Sequence, residues 1–193
     1  MIIHLFSSRD GIIEIELSRC GLAIRFSIGL PVSTLGRGVQ IRTYKASDLE
    51  ELKRITVEAF SGIALDQRVE EHLGVLHGHD WRWRKARHIE DDAAANPAGI
   101  FVAEENGRIF GFITTLLERE AGKGRIPNLA IIPEARSKGL GRQLIEHALD
   151  YLRREGMSYA MIETMAYNEA GNHLYPACGF IEVARQVHFA RKL

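Results

Sequence analysis

Hydrophobic and polar positions change rhythm several times along the 193 residues, and the rhythm assigns most of the elements. Ile13, Ile15 and Leu17 alternate with Glu14 and Glu16, and Leu22, Ile24, Phe26 and Ile28 alternate with polar or small residues. A period of two marks strands with one covered face. The link SRCG carries a turn glycine, so the two runs predict a β-hairpin. GLPVSTLGRG after it reads as a linker. From Val39 the pattern becomes regular. VQIRTY predicts a strand; Ser47 and Glu50 have capping-box spacing, and Leu49, Leu52 and Ile55 give a helical stripe to about Phe60. Residues 61–98 are irregular and predict partial helix. GIFVAEE and RIFGFITTLLE flank Asn106-Gly107, a tight-hairpin dipeptide, and GRIPNLAII predicts a further strand. Residues 138–154 place Leu140, Leu144, Ile145, Ala148, Leu149 and Leu152 on one face of a helix. SYAMIET predicts a buried strand, residues 169–178 a short helix, and GFIEVARQVHFARKL one or two closing strands.

Antiparallel hairpins thus precede a strand–helix–strand crossover. That order predicts an α/β architecture (a mixed, α+β sheet) and excludes a full dinucleotide fold or a barrel. Residues 1–38 stand apart as an extension, and residues 39–193 form the main domain.

Charge and composition narrow the classes. Lys plus Arg equals Asp plus Glu at 25 each, so no bulk attraction to nucleic acid or an anionic membrane is expected. Cys20 and Cys178 are too few for a disulfide framework and lack metal-ligand spacing, which predicts packed thiols in a reducing, cytoplasmic setting. No apolar run approaches the roughly 20 residues of a membrane span. The start MIIHLFSSRDG lacks the basic region of a signal peptide. His72, His77 and His79 do not match a standard site, so no metal is expected. Trp81 and Trp83 among Arg82, Arg84, Lys85 and Arg87 have the look of a nucleic-acid patch, but Glu90, Asp91 and Asp92 cancel the run. A charged amphipathic helix is the expectation.

The chemistry concentrates in PEARSKGLGRQLIEHAL. Gly139 and Gly141 sit in a turn that enters a helix, with Arg136, Lys138 and Arg142 around them. Such a turn exposes backbone N–H groups without intrahelical partners, at the positive end of the helix dipole, where a phosphate is favoured. Taken alone, the turn reads equally as a pyrophosphate cradle or as a loop with solvated basic residues. P-loop spacing is absent, and a GxGxxG fingerprint fails at Leu144, with Glu163 only a weak match for the ribose-binding acid.

Two blocks together are more specific. NLAIIPEARSKGLGRQLIEHAL and the later ETMAYNEAGNHLYPACGFIEV resemble the signature of the GNAT superfamily of acetyl-CoA-dependent N-acetyltransferases, across about residues 39–193. The resemblance implies a central, mostly antiparallel sheet with a splayed parallel strand pair and flanking helices. It implies that Arg136, Ser137, Lys138, Gly139, Leu140, Gly141 and Arg142 hold the CoA pyrophosphate. Leu129, Ala130 and Ile131 would pair with pantetheine through the main chain, splaying from SYAMIET, and the Ile131 N–H would face the oxyanion. Asn168 would contact the pantetheine, and Tyr175 would lie near the sulfur and protonate the departing thiolate.

Two departures from the family pattern stand out. Pro176 follows Tyr175, removes a helix hydrogen bond and predicts a kink or an end there. Many members carry a glutamate on the strand before the phosphate turn; here Asn128 occupies that neighbourhood. Glu118 and Glu163 on nearby strands could act through water, and no base is assigned. Cys178 is the sole candidate for a covalent intermediate and is expected to be buried. The expected function is transfer of an acetyl group from acetyl-CoA to a primary amine by direct attack in a ternary complex. The alternatives are a non-catalytic acyl-CoA-binding module and a nucleotide-binding protein of another α/β class. The N-terminal hairpin edge would suit pairing with a second copy.

Overall fold

The computed structural model describes residues 38–193 together with the backbone of three N-terminal strands, β1 (Ile2–Ser7), β2 (Ile12–Arg19) and β3 (Leu22–Gly29). The chain divides into two compact units, residues 1–34 and 35–193. In the first, β2 and β3 pair antiparallel with Arg19 opposite Leu22, and β1 adds a third strand beside β2.

The second unit begins with β4 (Gln40–Thr43) and α1 (Leu49–Phe60). The helix entry differs from the expected Ser47–Glu50 box. Asp48 accepts from the Lys45 N–H at 2.8 Å and is clamped by Arg42 Nη1 and Nη2 at 2.7 and 3.0 Å. A carboxylate already held by arginine is the better acceptor there. Residues 61–98 are more regular than the sequence suggests and hold α2 (Leu65–Leu73) and α3 (Trp81–Ala95). Asp80 caps α3 by accepting from the Trp83 N–H at 2.9 Å. Next come β5 (Ile100–Glu105) and β6 (Arg108–Thr114), joined by Asn106 and Gly107 with φ of 53° and 78°, as a two-residue hairpin turn requires.

The next two expected strands are each broken in two. β6 continues past Thr115 as β7 (Leu116–Glu118), and β8 (Lys123–Ile126) continues past Pro127 and Asn128 as β9 (Leu129–Ile131). Ile113 opposes Leu129 and Leu116 opposes Arg125, so four steps on one strand face three on the other. The extra residue is a bulge placed where Pro127 cannot donate to a ladder.

After β9 the chain forms α4 (Leu140–Arg154), β10 (Tyr159–Ile162) and α5 (Glu169–Ala177). Four strands run antiparallel in the order β4-β5-β6-β9, and three in the order β10-β8-β7. β10 lies parallel to β8, with Ile162 opposite Ile126 as the last pair. Beyond it, β9 remains with β6 while β10 does not follow. The parallel pair therefore splays, and the paired half of SYAMIET's partner is β8 rather than the LAI strand itself.

β5 is buried at every position from Ile100 to Ala103, as expected for a strand covered on both faces. α4 packs Leu144, Ile145, Ala148 and Leu152 inward, and its His147 and Tyr151 rings meet Phe101 edge-on at 4.4 and 5.4 Å. Leu52 and Ile55 of α1 and Ile89 of α3 complete the core. One expectation fails outright: residues 179–193 form no strand, and Ile181, Val183 and Phe189 are exposed. A period of two shows that a segment is able to pair, while a strand also needs a neighbour's backbone to bond.

Candidate functional site

Where β9 and β10 part, the backbone of β9 faces two ways. Thr114 N–H donates to the Asn128 carbonyl at 2.9 Å and Ile132 N–H to the Phe110 carbonyl at 3.0 Å. With the register Phe112 opposite Ala130, the even residues bond β6. The peptide groups of Leu129 and Ile131 therefore point away from β6, into the gap that β10 leaves. Of the three residues expected to offer main chain to a ligand, Leu129 and Ile131 present theirs to the gap and Ala130 does not. The Ile131 carbonyl is taken by Arg136 Nε at 3.1 Å, and Arg136 Nη2 reaches the Ala59 carbonyl at 3.5 Å. Arg136 thus ties the end of β9 to the end of α1.

At the end of β9 lies the glycine turn. Ser137 and Gly139 have φ of 60° and 80°, and Gly139 is the N-cap of α4. A glycine carries that left-handed cap at little cost. The first bond of the helix is Gln143 N–H to the Gly139 carbonyl at 3.2 Å. The N–H groups of Leu140, Gly141 and Arg142 accordingly have no partner within the helix. A Cβ on Gly141 would meet Leu174 Cδ2 at 3.0 Å and Ile131 Cδ1 at 3.2 Å, so the turn is seated against both β9 and α5. Exposed N–H donors, a dipole end and a missing Cβ fit the diphosphate of a CoA molecule.

α5 supplies the remaining expected residues. Asn168 is its N-cap: Oδ1 accepts from Gly171 N–H at 3.3 Å, and Nδ2 donates to Thr164 Oγ1 at 2.8 Å. The helix neither kinks to a halt nor ends at Pro176; it runs to Ala177, with Cys178 N–H still reaching the Leu174 carbonyl at 3.1 Å. Pro176 lies in the last turn, where a lost N–H removes one bond only. Tyr175 is partly buried, packs its ring 6.2 Å from that of Phe180, and has its phenol pushed up to about 12 by burial and by Cys178. It is a proton-bearing group at any working pH. The Cys178 thiol is pushed up by burial, which disfavours a nucleophilic thiolate.

The other side of the splay opens on a cavity of about 340 Å³. Pro127 and Asn128 line it from one strand and Met161 and Glu163 from the other, with His88, Asp91 and Asp92 from α3 and Arg125 from β8. Its wall contains a buried polar chain. Lys85 Nζ donates to Asn128 Oδ1 at 2.7 Å, Asn128 Nδ2 donates to Asp92 Oδ2 at 2.7 Å, and Thr114 Oγ1 donates to the same oxygen at 2.6 Å. Asn128 is 2% exposed, Asp92 6% and Lys85 8%. Burial lowers Lys85 to about 8, while its Nζ sits 4.0 Å from the centre of the Phe60 ring. Burial raises Asp92, against the opposing hydrogen bonds from Thr114 and Asn128 and the charges of Lys85 and His88. Burial and Lys85 lower His88, whose Nε2 lies 3.7 Å from Asp66 Oδ2.

Reading the sequence missed this cluster. Lys85 and Asp92 entered only as charges that cancel one another. Their spacing held a signal: residues 81, 85, 88, 89 and 92 share one helical face with Trp81 and Ile89. Of the strand acids, Glu118 is ion-paired with Lys123 at 2.6 Å, away from the cavity, and Glu163 lines the cavity 3.6 Å from Arg125. Trp83 stacks on His79 at 3.6 Å on α3, which is a charged amphipathic helix as expected. Among the described residues, no group of three or more His, Cys, Asp or Glu could hold a metal ion, and no helix is long and apolar enough to cross a membrane.

Comparison with known proteins gives a consistent picture. A mycothiol acetyltransferase of Streptomyces coelicolor is 31% identical over 154 residues, covering 80% of this chain and 46% of that protein. The chain thus spans about half the length of the curated relatives it matches. Among solved structures, a Pyrococcus horikoshii protein superposes with a TM-score of 0.62 at 23% identity, covering 77% of this chain and 92% of that one. A Thermoplasma acidophilum paiA N-acetyltransferase crystallised with coenzyme A gives 0.58 at 19% identity, covering 72% and 87%. The family model described as acetyltransferase (GNAT) family matches residues 55–180, from α1 through the splayed strands to the end of α5, and the chain belongs to that family.

Proposed function

We propose that this chain transfers the acetyl group of acetyl-CoA to a small primary amine by direct attack in a ternary complex. The observation that carries this reading is the splay itself. One gap has a phosphate-suited helix N-terminus at one end, unpaired β9 peptide groups along its side, and a polar cavity at the other end.

Each part has a distinct task in this reading. The N–H groups of Leu140, Gly141 and Arg142 hold the pyrophosphate, with Arg142 and Lys138 adding charge. Leu129 pairs with the amides of pantetheine through its main chain, and the Ile131 N–H, whose own carbonyl is already taken by Arg136, stabilises the oxyanion as the thioester carbonyl becomes tetrahedral. The amine enters from the cavity. Three carboxylates, Asp91, Asp92 and Glu163, against one guanidinium, Arg125, suit a cationic acceptor, and about 340 Å³ suits a small one. The relatives' name places their acceptor among small thiol-bearing molecules of the mycothiol kind, which is compatible with that size. Tyr175 donates its proton to the departing sulfur. With a phenol at about 12 against a thiol near 8.5, the proton moves as the C–S bond breaks rather than before it.

The test is release of free CoA thiol from acetyl-CoA in the presence of a panel of primary amines, with CoA-induced thermal stabilisation measured alongside. Turnover with at least one amine is expected. Stabilisation by CoA without turnover of any amine would favour a non-catalytic acyl-CoA-binding module, and no stabilisation would overturn both.

A further inference from the structure

The reading above leaves the attacking amine without a proton acceptor. At neutral pH an ordinary primary amine is mostly an ammonium ion and cannot attack. The strand that carries a glutamate in many family members offers Asn128 here, and Arg125 beside it is a cation.

We infer that Asp92 on α3 is the group that takes the proton from the acceptor ammonium, presented at the splay by Asn128 and Thr114. This inference rests on the acetyl-transfer reading. Four observations support it. Asp92 lines the cavity at the place where β9 leaves β10, beside Asn128. Both donors to it converge on Oδ2, which orients the carboxylate and leaves Oδ1 for the cavity. Thr114 is itself fixed, because its Oγ1 accepts from Asn128 N–H at 3.1 Å. Lys85 sits behind Asn128 as a buried counter-charge that favours the carboxylate, while burial raises Asp92 above an exposed aspartate and makes it more basic.

The proton balance closes. R–NH3⁺ gives one proton to the Asp92 carboxylate, and the free electron pair of R–NH2 forms the C–N bond. On collapse the C–S bond breaks, the CoA thiolate takes the proton of Tyr175, and the second proton lost by nitrogen passes through water to the tyrosinate, so that one net proton is released by way of Asp92. Asp92 returns its proton to water, and Tyr175 is reprotonated. The charges that set the titration of Asp92 are Lys85 and His88 on its own helix; Asp91, Arg125 and Glu163 line the same cavity, and Asp66 on α2 lies beside His88.

The experiment compares the wild type with Asp92→Asn, using the best amine from the panel and hydroxylamine, which is neutral at the assay pH and needs no base. With the ordinary amine, kcat is expected to fall by about 10²-fold or more, and to recover as pH is raised towards the pKa of the amine. With hydroxylamine it is expected to stay within a few-fold, and CoA-induced stabilisation to be unchanged. Equal losses with both nucleophiles, or no loss with either, overturn the inference while leaving the acetyl-transfer reading intact. A wild type that turns over no amine overturns that reading instead. If Asp92→Asn does not fold, Lys85→Met decides. Loss of the cation raises the pKa of Asp92, so the acidic limb of the kcat profile must move to higher pH, and an unmoved limb rules Asp92 out.

Discussion

The two ends of the splay are built from different materials. In the proposed reading the donor end, from Leu129 to Arg142, is mostly backbone: peptide groups of β9, N–H groups at the start of α4, and a missing Cβ at Gly141. The acceptor end is mostly side chain, with Lys85, Asp92, Thr114 and Asn128 brought from three elements into one buried chain. A backbone site recognises what every acetyl-CoA presents, and its residues lie within about 14 positions of one another. A side-chain site can vary with the acceptor, and its residues come from as far apart as positions 85 and 163. One architecture can therefore keep its donor while its acceptor changes.

Substitutions that act on one end only will test this division. The largest effect is expected from Gly141→Leu, which drives a side chain into Leu174 and Ile131. Two or three charge-assisted bonds would be lost, so CoA affinity should fall by about 10²-fold or more and the CoA-induced shift in melting temperature should nearly vanish. Unchanged affinity in calorimetry would remove the glycine turn from the donor site.

Tyr175→Phe is expected to separate chemistry from donor binding. The ring and its contact with Phe180 remain, so CoA binding should hold while kcat falls by about 10²-fold. The loss should shrink with an acyl donor whose leaving thiol is more acidic. Equal losses with both donors would assign Tyr175 a positioning role.

On the acceptor side, Lys85 gives a signature in stability. Its folded pKa, about 8, is below the 10.5 of the free side chain. Between these values the unfolded chain binds the extra proton, so wild-type stability should rise with pH from about 8 to about 10.5, by an amount of order 3 kcal/mol. Urea titrations across this window should show the rise, and Lys85→Met should lack it. A wild type with no such slope would mean that Lys85 is more solvated than its 8% exposure implies.

The smallest effect is expected outside both ends. Removing residues 1–37 leaves all but the first three residues of the second compact unit and the whole region matched by the family model. CoA binding should change by less than a few-fold, while the oligomeric state, read by light scattering, should shift if the N-terminal sheet offers its edge to another copy. A truncated chain that no longer binds CoA would tie the first unit to the donor site.

How much of this was legible beforehand follows the same division. Local rules carried α1, α4, α5 and the Asn106-Gly107 hairpin, because apolar period, caps and turn residues act within a few positions of the chain. The same holds for the donor turn, whose glycines and following helix are contiguous. The break at Pro127 was visible as a residue but not as a bulge, since a bulge is defined by the partner strand. The tail from Gly179 had strand periodicity and no strand, for want of a bonded neighbour.

The sequence by itself determined the order of the main elements between β4 and α5, the two family blocks and the phosphate-suited start of α4. Only the tertiary structure decided which half of the broken strand pairs with β10, which β9 peptides face the gap, and that Asp92 reaches Asn128 across 36 positions. The reason is one of range. Backbone preferences and periodicity are summed over neighbouring residues, whereas the meeting of a lysine, an asparagine and an aspartate in a buried wall depends on how α3 lies against β6 and β9, which no local pattern encodes.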